Sequence, residues 1–229
     1  MPNVLITGAG RGIGLATVKA FVGAGWKVFA LDIDFQESGD KNPIQIKYNL
    51  EDLEGIPALI GSLGEVHALV NNAGMQNAVP YDQYPAAKRQ KILRINLEAP
   101  AVLIEAVSRQ MKQRKSGRIV SLCSIAAYQP HPDLWYGVTK AGIASLTRSF
   151  ASYLGPHGVQ VNAVAPGPVD TELLRVVDSA RREKLLQQVY TRRAGTAEEI
   201  AAAILWLCTG APAIMNGAIL DINDGTYPR

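Results

Sequence analysis

The chain has 229 residues, of which 48% are hydrophobic and 19% charged, values that suit one domain with a single large core. Its net charge of +3 includes no dense Lys/Arg run and no apolar run has the length of a membrane span, so we expect neither a nucleic-acid partner nor a membrane partner. Cys123 and Cys208 lack metal-ligand spacing, and a strand begins almost at the first residue. We therefore expect a cytoplasmic protein with reduced core thiols, no bound metal and no signal peptide.

A glycine-rich stretch over residues 7–14 lies between the apolar run 4–6, a predicted strand, and a helical pattern over 13–24. A helix start presents unpaired N–H groups and the positive end of a dipole, which favour a bound phosphate. Glycine lets the backbone turn tightly and lets a pyrophosphate approach closely. The stretch therefore predicts a dinucleotide site, with a purely structural turn as the weaker alternative.

The second predicted strand, 26–32, ends on Asp32. A carboxylate at this position can accept hydrogen bonds from both ribose hydroxyls of an adenosine and repels a 2′-phosphate. Arg11, inside the glycine stretch, could bind a phosphate and argues weakly the other way. The balance predicts NAD rather than NADP.

Strands and helical patterns then alternate, which predicts an α/β fold with a doubly wound, parallel, seven-stranded sheet and helices on both faces. Residues 33–43 are too short and interrupted for a full crossover helix, and Pro100 predicts a kink or break within the helical pattern 86–114. The remaining predicted strands are 44–48, 66–70, 117–123, 160–164 and 218–222, and the remaining helical segments are 53–63, 136–154, 171–193 and a last helix capped by Thr196.

Polar residues with complementary chemistry gather near the same edge of the predicted sheet. Ser124 ends a strand, while Tyr136 and Lys140 are four positions apart and share a helix face. A nearby ammonium favours a phenolate, so Lys140 would lower the pKa of Tyr136 while Ser124 holds a substrate oxygen. Asn96 lies in an apolar stretch, where a satisfied core amide and a functional amide remain equally open.

Taken together, the motifs resemble the short-chain dehydrogenase/reductase family over nearly the whole chain. The order of these motifs along the sequence supports the resemblance to this family more specifically than any single motif does. The matching pieces are Thr7-Gly8-x-x-x-Gly12-x-Gly14, Asn71-Asn72-Ala73-Gly74, Asn96, Ser124, Tyr136-x-x-x-Lys140, and Pro166-Gly167 followed by Thr171. The resemblance implies a Rossmann-type fold in which residues 1–229 form a single dinucleotide-binding and catalytic domain. It also implies an NAD-dependent oxidoreductase of small alcohols or ketones, assembled as a homotetramer or homodimer through its two long helices.

The resemblance further implies roles for individual residues. Tyr136 would be the general acid/base, and Ser124 would orient the carbonyl or alcohol. Lys140 would bind the nicotinamide ribose and lower the pKa of Tyr136, and Asn96 would anchor a water in the proton relay. The residues expected to contact the cofactor are Gly8, Arg11, Gly12, Ile13, Gly14, Asp32, Asn49, Asn72, Ala73, Gly74, Tyr136, Lys140, Pro166, Gly167, Val169 and Thr171.

Three departures from the family pattern bear on binding. The segment 33–43 is shorter than usual, and the spacing from Ser124 to Tyr136 is slightly tighter. Asn49 stands where the family often carries Asp against the adenine, although Asn can still form a hydrogen bond.

The segment 168–193 would cover the substrate as a lid. Its basic residues favour a solvated helix face, with attraction of an anionic substrate as the less favoured alternative; they are Arg175, Arg181, Arg182, Lys184, Arg192 and Arg193. A non-catalytic NADH-binding regulator or scaffold is the alternative function, and the complete Ser, Tyr, Lys and Asn set argues against it.

Overall fold

All seven strands of the central sheet run parallel, in the order β3-β2-β1-β4-β5-β6-β7. The computed structural model describes residues 1–35, 42–77, 79–175 and 177–228. The strands are β1 (Asn3–Thr7), β2 (Lys27–Asp32), β3 (Ile44–Lys47), β4 (Ala68–Asn71), β5 (Gly117–Leu122), β6 (Val159–Pro166) and β7 (Ile219–Ile222).

Helices cover both faces of this sheet. They are α1 (Gly12–Gly23), α2 (Ile56–Ser62), α3 (Ala86–Leu93), α4 (Ala99–Arg114), α5 (Leu134–Leu154), α6 (Glu172–Arg175), α7 (Ser179–Gln188) and α8 (Ala197–Thr209). The predicted single-domain, doubly wound α/β fold is confirmed, and each predicted strand agrees with its observed bounds within two residues.

The two sheet faces bury separate apolar clusters because alternate side chains of a strand point to opposite faces. In β1, Leu5 joins the cluster that packs on α2, α4 and α5, whereas Val4 and Ile6 join the cluster that packs on α1 and α8. All three side chains are fully buried. The strands therefore form near-continuous apolar runs, as in a parallel sheet covered on both faces.

The helical pattern 86–114 is interrupted, but not in the way that Pro100 suggested. A π-helical segment, Arg94–Glu98, lies between α3 and α4, while Pro100 lies in the first turn of α4. A proline is tolerated there because the N–H groups of a first turn have no intrahelical acceptor. The irregular geometry therefore falls on the turn that contains Asn96.

Two other predicted helical segments differ in extent. The pattern 53–63 gives only the shorter α2, because the side chains of Asn49 and Asp52 bind the N–H groups of Glu51 and Gly55 and hold the preceding residues in turns. The charged segment 171–193 contains α6 and α7 instead of one helix. Most of the segment 33–43 lies outside the described residues.

The chain from 170 to 194 leaves the sheet and returns to it at one point. Val169 and Gly195 form an isolated parallel bridge. The Asp170 N–H donates to Gly195 O at 2.9 Å, and the Gly195 N–H donates to Pro168 O at 2.9 Å. The two ends of the predicted lid segment are therefore held side by side.

Among the described residues, no helix combines the length and the apolar content needed to cross a membrane. In the same residues, no three His, Cys, Asp or Glu side chains are grouped as a metal ion would require. Cys123 and Cys208 are both buried, which confirms the prediction of two core thiols.

Candidate active site

The predicted site residues follow the C-terminal ends of neighbouring parallel strands and so meet at one edge of the sheet. The strand order reverses between β1 and β4, and ligands of open α/β sheets bind in the crevice at such a point. The glycine stretch follows β1, residues 72–74 follow β4, and Ser124 follows β5 closely.

The start of α1 offers an open anion site. Its N-cap residue, Arg11, makes no capping hydrogen bond through its side chain, and the first turn carries no acidic residue. Gly8 and Gly12 have φ of +63° and +53°, a backbone region that L side chains rarely adopt. A Cβ on Gly14 would lie 1.8 Å from Gly8 O. The loop is thus packed as tightly as a pyrophosphate-binding turn requires.

Thr7 and Asn72 hold this loop against the end of β4. Thr7 Oγ1 accepts the N–H groups of Asn72 and Ala73 at 3.1 and 3.0 Å. Asn72 Nδ2 donates to Thr7 O and Gly8 O, both at 2.9 Å. The Asn72 amide group therefore supports the glycine loop, and its backbone lies beside the expected cofactor path.

Asp32 lies at the end of β2, as predicted, but its carboxylate is engaged. Oδ2 accepts the Gly10 N–H at 2.8 Å, and Oδ1 accepts the N–H groups of Ile33 and Asp34 at 2.7 and 3.4 Å. The same side chain thus supports the middle of the glycine loop. Nearby, the Arg11 guanidinium lies 3.2 Å from the Glu172 carboxylate of α6.

The other expected cofactor contacts lie at three places. Thr171 approaches the glycine loop, because a Cβ on Gly12 would lie 3.4 Å from Thr171 Cγ2. Val169 is buried, and Gly167 follows Pro166 at the end of β6 with its N–H on Ile222 O. Asn49 is exposed two residues after β3, and its Oδ1 accepts the Glu51 N–H at 3.0 Å.

Ser124 and Tyr136 are brought together as predicted. The Ser124 side chain lies close enough to the Tyr136 hydroxyl to affect its pKa, and it accepts the Ala126 N–H at 3.1 Å. Burial raises the pKa of Tyr136 to about 12, although the Ser124 side chain lowers it in part. The phenol is therefore protonated at neutral pH.

Lys140 does not lower the pKa of Tyr136 as the sequence argument expected. The Lys140 side chain is buried, and its Nζ donates to Leu122 O at 2.6 Å and lies 5.5 Å from the centre of the Tyr136 ring. Burial lowers the pKa of Lys140 itself to about 8. Desolvation is the largest cause of both pKa shifts, and the Lys140 ammonium binds the Leu122 carbonyl instead of the phenol oxygen.

Both polar atoms of the Asn96 side chain have hydrogen-bond partners. Its Oδ1 accepts the Met75 N–H at 2.9 Å, and its Nδ2 donates to Met75 O at 2.8 Å and Thr139 Oγ1 at 3.2 Å. A Cβ on Gly74 would lie 3.7 Å from both Asn96 Oδ1 and Lys140 Nζ. The contacts thus satisfy the amide and place it beside Lys140.

The sequence argument missed Asp133, which is only 3% exposed. Its Oδ1 accepts the N–H groups of Trp135 and Tyr136, each at 3.1 Å, and so begins α5 two residues earlier than predicted. His131 is half-buried, with its ring centre 4.9 Å from that of Tyr136. An Asp just before the helical pattern was the available signal, since Asp is a preferred N-cap.

Several basic residues of the lid have protein partners. Arg175 pairs with Asp170, Arg193 pairs with Glu199, and Arg192 donates to Gln187 O. These contacts agree with the favoured interpretation of a solvated helix face. Arg181 differs, because its charge together with burial lowers the pKa of His131.

Comparison with known proteins agrees with this geometry. The family model described as enoyl-(acyl carrier protein) reductase matches residues 8–227. The chain is 34% identical over 245 residues to the FixR protein of Bradyrhizobium diazoefficiens, covering 98% of this chain and 86% of FixR. It is 33% identical over 226 residues to the acetoacetyl-CoA reductase of Synechocystis sp., covering 96% and 94%.

A solved structure is similar over the same extent. A Beutenbergia cavernae protein proposed to be an NAD(P)-dependent gluconate 5-dehydrogenase, with NADP bound at low occupancy, superposes with a TM-score of 0.91 at 29% identity, covering 98% of this chain and 96% of that one. The nucleotide-binding edge, the Ser-Tyr-Lys arrangement and these matches lead to one conclusion: the chain belongs to the short-chain dehydrogenase/reductase family of oxidoreductases.

Proposed function

We propose that this protein transfers a hydride between NAD(H) and the CH-OH or C=O carbon of a small alcohol or ketone. The observation that carries the proposal is the placement of Ser124, Tyr136 and the buried Lys140 side by side, at the same sheet edge as the uncapped start of α1. In this proposal, one domain both binds the dinucleotide and performs the chemistry.

The residues present fit a nicotinamide dinucleotide. The first N–H groups of α1 carry no side-chain cap, and Gly12 and Gly14 leave the helix start bare, which suits a pyrophosphate. Lys140 and Thr171 would hold the nicotinamide end, and Ala73 and Gly74 would line the path between. When bound, the nicotinamide ring supplies or accepts the hydride.

Tyr136 and Ser124 would handle the substrate oxygen. Because burial raises the pKa of Tyr136 to about 12, its hydroxyl is ready to donate a proton to an oxygen that gains charge during carbonyl reduction. Ser124 would hold that oxygen through its hydroxyl. Lys140 would orient the ribose, and Asn96 would hold the loop at Met75 and anchor a water in the proton relay.

NAD is the cofactor that Asp32 favours, since a carboxylate at the end of β2 repels a 2′-phosphate. Arg11 is partly neutralised by Glu172, which weakens the argument for NADP. The NADP bound in the Beutenbergia cavernae structure argues instead for NADP. The test is the ratio of NADH affinity to NADPH affinity in Asp32→Ala and Asp32→Asn. Both variants can disturb the glycine loop at the Gly10 N–H and so weaken the binding of both cofactors, and this common loss of affinity cancels in the ratio.

The ratio is expected to fall in both Asp32 variants and to stay unchanged in Asp34→Ala, at an exposed neighbouring position. A wild-type protein that binds NADPH more tightly than NADH would overturn the NAD assignment and leave the oxidoreductase proposal in place.

We also propose a cytoplasmic homodimer or homotetramer assembled through α4 and α5. Leu134 and Val138 of α5 are 48% and 43% exposed, which is unusual for large apolar side chains on a long helix and suits burial against another copy. Light scattering of the purified chain gives the mass directly, and a monomer at micromolar concentration would contradict the assembly.

The activity is tested by offering NAD and NADP with a panel of alcohols, and NADH and NADPH with a panel of ketones. Tyr136→Phe is expected to keep NADH binding and to lose nearly all turnover, because only the hydroxyl is removed. Tyr153→Phe, at a 72% exposed tyrosine of the same helix, is the matched control. Retained turnover in Tyr136→Phe would refute the mechanism, and tight NADH binding without turnover would favour a regulator or scaffold.

A further inference from the structure

Two segments meet at the start of α5, and the side chain that joins them is Asp133. Its Oδ1 accepts the N–H groups of Trp135 and Tyr136. Its Oδ2 accepts the Asn77 N–H in a short hydrogen bond and the Tyr84 hydroxyl at 3.4 Å. One carboxylate therefore binds both the helix that carries Tyr136 and the loop that follows β4.

That loop is held at both ends by polar side chains. Met75 is bound through its N–H and its carbonyl by Asn96, and Asn77 is bound through its N–H by Asp133. Asn77 Nδ2 also donates to the Tyr84 hydroxyl at 2.8 Å. Asn96 and Asp133 thus hold this loop at Met75 and Asn77, two residues apart, between the turn that contains Asn96 and the start of α5.

Burial distinguishes Asp133 from an ordinary helix cap. Asp178, which caps α7, and Thr196, which caps α8, are both exposed, whereas Asp133 is only 3% exposed. Within the described part of the chain, no Lys, Arg or His nitrogen is in ion-pair contact with the Asp133 carboxylate. A buried, unpaired charge is costly, and here it is stabilised by three backbone N–H donors and one hydroxyl.

We propose that Asp133 is a positioning residue for Tyr136: its carboxylate fixes the first turn of α5 against the loop after β4, and so sets where the Tyr136 hydroxyl stands relative to Ser124. The inference rests on the proposed function, because it concerns the geometry of that reaction. Catalytic groups displaced by about 1 Å lose on the order of a hundredfold in rate. Asp133 touches neither the reacting atoms nor the expected cofactor path.

The charge of Asp133 has a second effect that a neutral cap would lack. The titratable groups around Tyr136 are Asp133, His131, Lys140 and the Cys123 thiol. Burial is the main cause of the raised pKa of Tyr136, and the charge of Asp133 raises it further. Removing this charge at constant shape therefore moves the inflection of the pH–rate profile that belongs to Tyr136 to lower pH.

Three substitutions separate these effects. Asp133→Ala removes both links, Asp133→Ser keeps an acceptor for the helix start alone, and Asp133→Asn keeps the size and the cap while placing an N–H₂ toward one of the N–H donors. The control is Thr196→Ala, which removes the N-cap of α8 away from the site and costs stability without touching Tyr136.

We expect Asp133→Ala to lower kcat about a hundredfold with a much smaller change in KM and unchanged NADH affinity. Asp133→Ser is expected to recover part of kcat, and in Asp133→Asn and Asp133→Ser the inflection is expected at lower pH than in the wild type. Amide hydrogen exchange at Trp135 and Tyr136, measured without cofactor, should speed up in Asp133→Ala and recover in Asp133→Ser.

The outcomes separate the two proposals. If wild-type turnover disappears in Tyr136→Phe but Asp133→Ala loses no more kcat than Thr196→Ala, the positioning role is refuted and the proposed function stands. If the wild type turns over no substrate of the panel, the proposed function fails, and unchanged exchange at Tyr136 in Asp133→Ala then refutes the positioning role independently.

Discussion

Lys140 Nζ donates a hydrogen bond to the carbonyl oxygen of Leu122 at 2.6 Å, at the end of β5 and beside the Tyr136 ring. Burial lowers the pKa of this lysine from 10.5 to about 8. The unfolded chain therefore binds more protons than the native protein between these values. The free energy of unfolding must therefore rise as the pH increases from about 8 to 10.5. Below pH 8, the buried ammonium lowers the free energy of unfolding by its full amount.

We expect the free energy of unfolding of the wild type to gain up to about 3 kcal/mol relative to Lys140→Met as the pH rises from 8 to 10.5. Denaturant titrations at several pH values measure the gap, which is the difference in the free energy of unfolding between the wild type and each variant. Lys112→Met, at an exposed position of α4, is the control and should show a constant gap. A constant gap for Lys140→Met as well would mean that the ammonium is not desolvated in the native protein.

The glycine loop gives a second prediction through two glycines of the same helix. A Cβ on Gly14 would lie 1.8 Å from Gly8 O, whereas a Cβ on Gly23 would meet nothing within 4 Å. Gly14→Ala should cost about 3 kcal/mol of stability and weaken NADH binding, because the loop backbone must move. Gly23→Ala should instead stabilise the protein by about 0.5–1 kcal/mol. Equal effects of the two substitutions on NADH affinity would contradict the tight packing.

Thr7 gives a third prediction, since its hydroxyl serves two buried donors. Thr7→Val leaves the N–H groups of Asn72 and Ala73 without their acceptor and should cost about 2–4 kcal/mol. Thr17→Val is the matched control in a fully buried site, where the hydroxyl only donates to Ile13 O within α1. Thermal unfolding of both variants measures the difference, and comparable losses would show that the Thr7 contacts add no special stability.

The fourth prediction concerns the exposed ion pair between Arg11 and Glu172. Glu172→Gln frees the Arg11 guanidinium for a 2′-phosphate, so NADPH should bind roughly two- to fivefold more tightly while NADH affinity stays unchanged. The gain should vanish in the double variant that also carries Arg11→Ala. Glu183→Gln on α7 is the charge-matched control, and if it produces the same gain, the effect is one of net charge alone.

Much of the fold and of the site could be predicted because the apolar runs of a parallel sheet end where its ligand-binding residues begin. The apolar run 4–6 ends at the glycine stretch, and the predicted strand 117–123 ends at Ser124. Both patterns therefore place these residues at the C-terminal edge of the sheet, where the structure has them. Parallel pairing then brought them together without any knowledge of side-chain contacts.

The rest depends on contacts that no periodicity encodes. The spacing of Tyr136 and Lys140 correctly gives a shared helix face, yet it cannot show that Lys140 Nζ binds Leu122 O and is itself desolvated. Pro100 predicts a break at the wrong position. The irregular turn is the π-helical one at Asn96, and it is held by long-range hydrogen bonds between Asn96 and Met75 that no local pattern encodes. Asp133 was missed for the same reason: its partner Asn77 is distant in sequence.

The bridge between Val169 and Gly195 has a consequence for how such a protein acquires new substrates. The described residues between them form a loop that is closed at its base by backbone hydrogen bonds, and Tyr190 and Thr191 bind the end of this loop to Asp224 after β7. A segment of this kind is an exchangeable cassette. The segment that corresponds to residues 170–194 could be grafted from one relative onto another at this closure, so that substrate range diverges while the sheet and the candidate site residues at its edge stay constant.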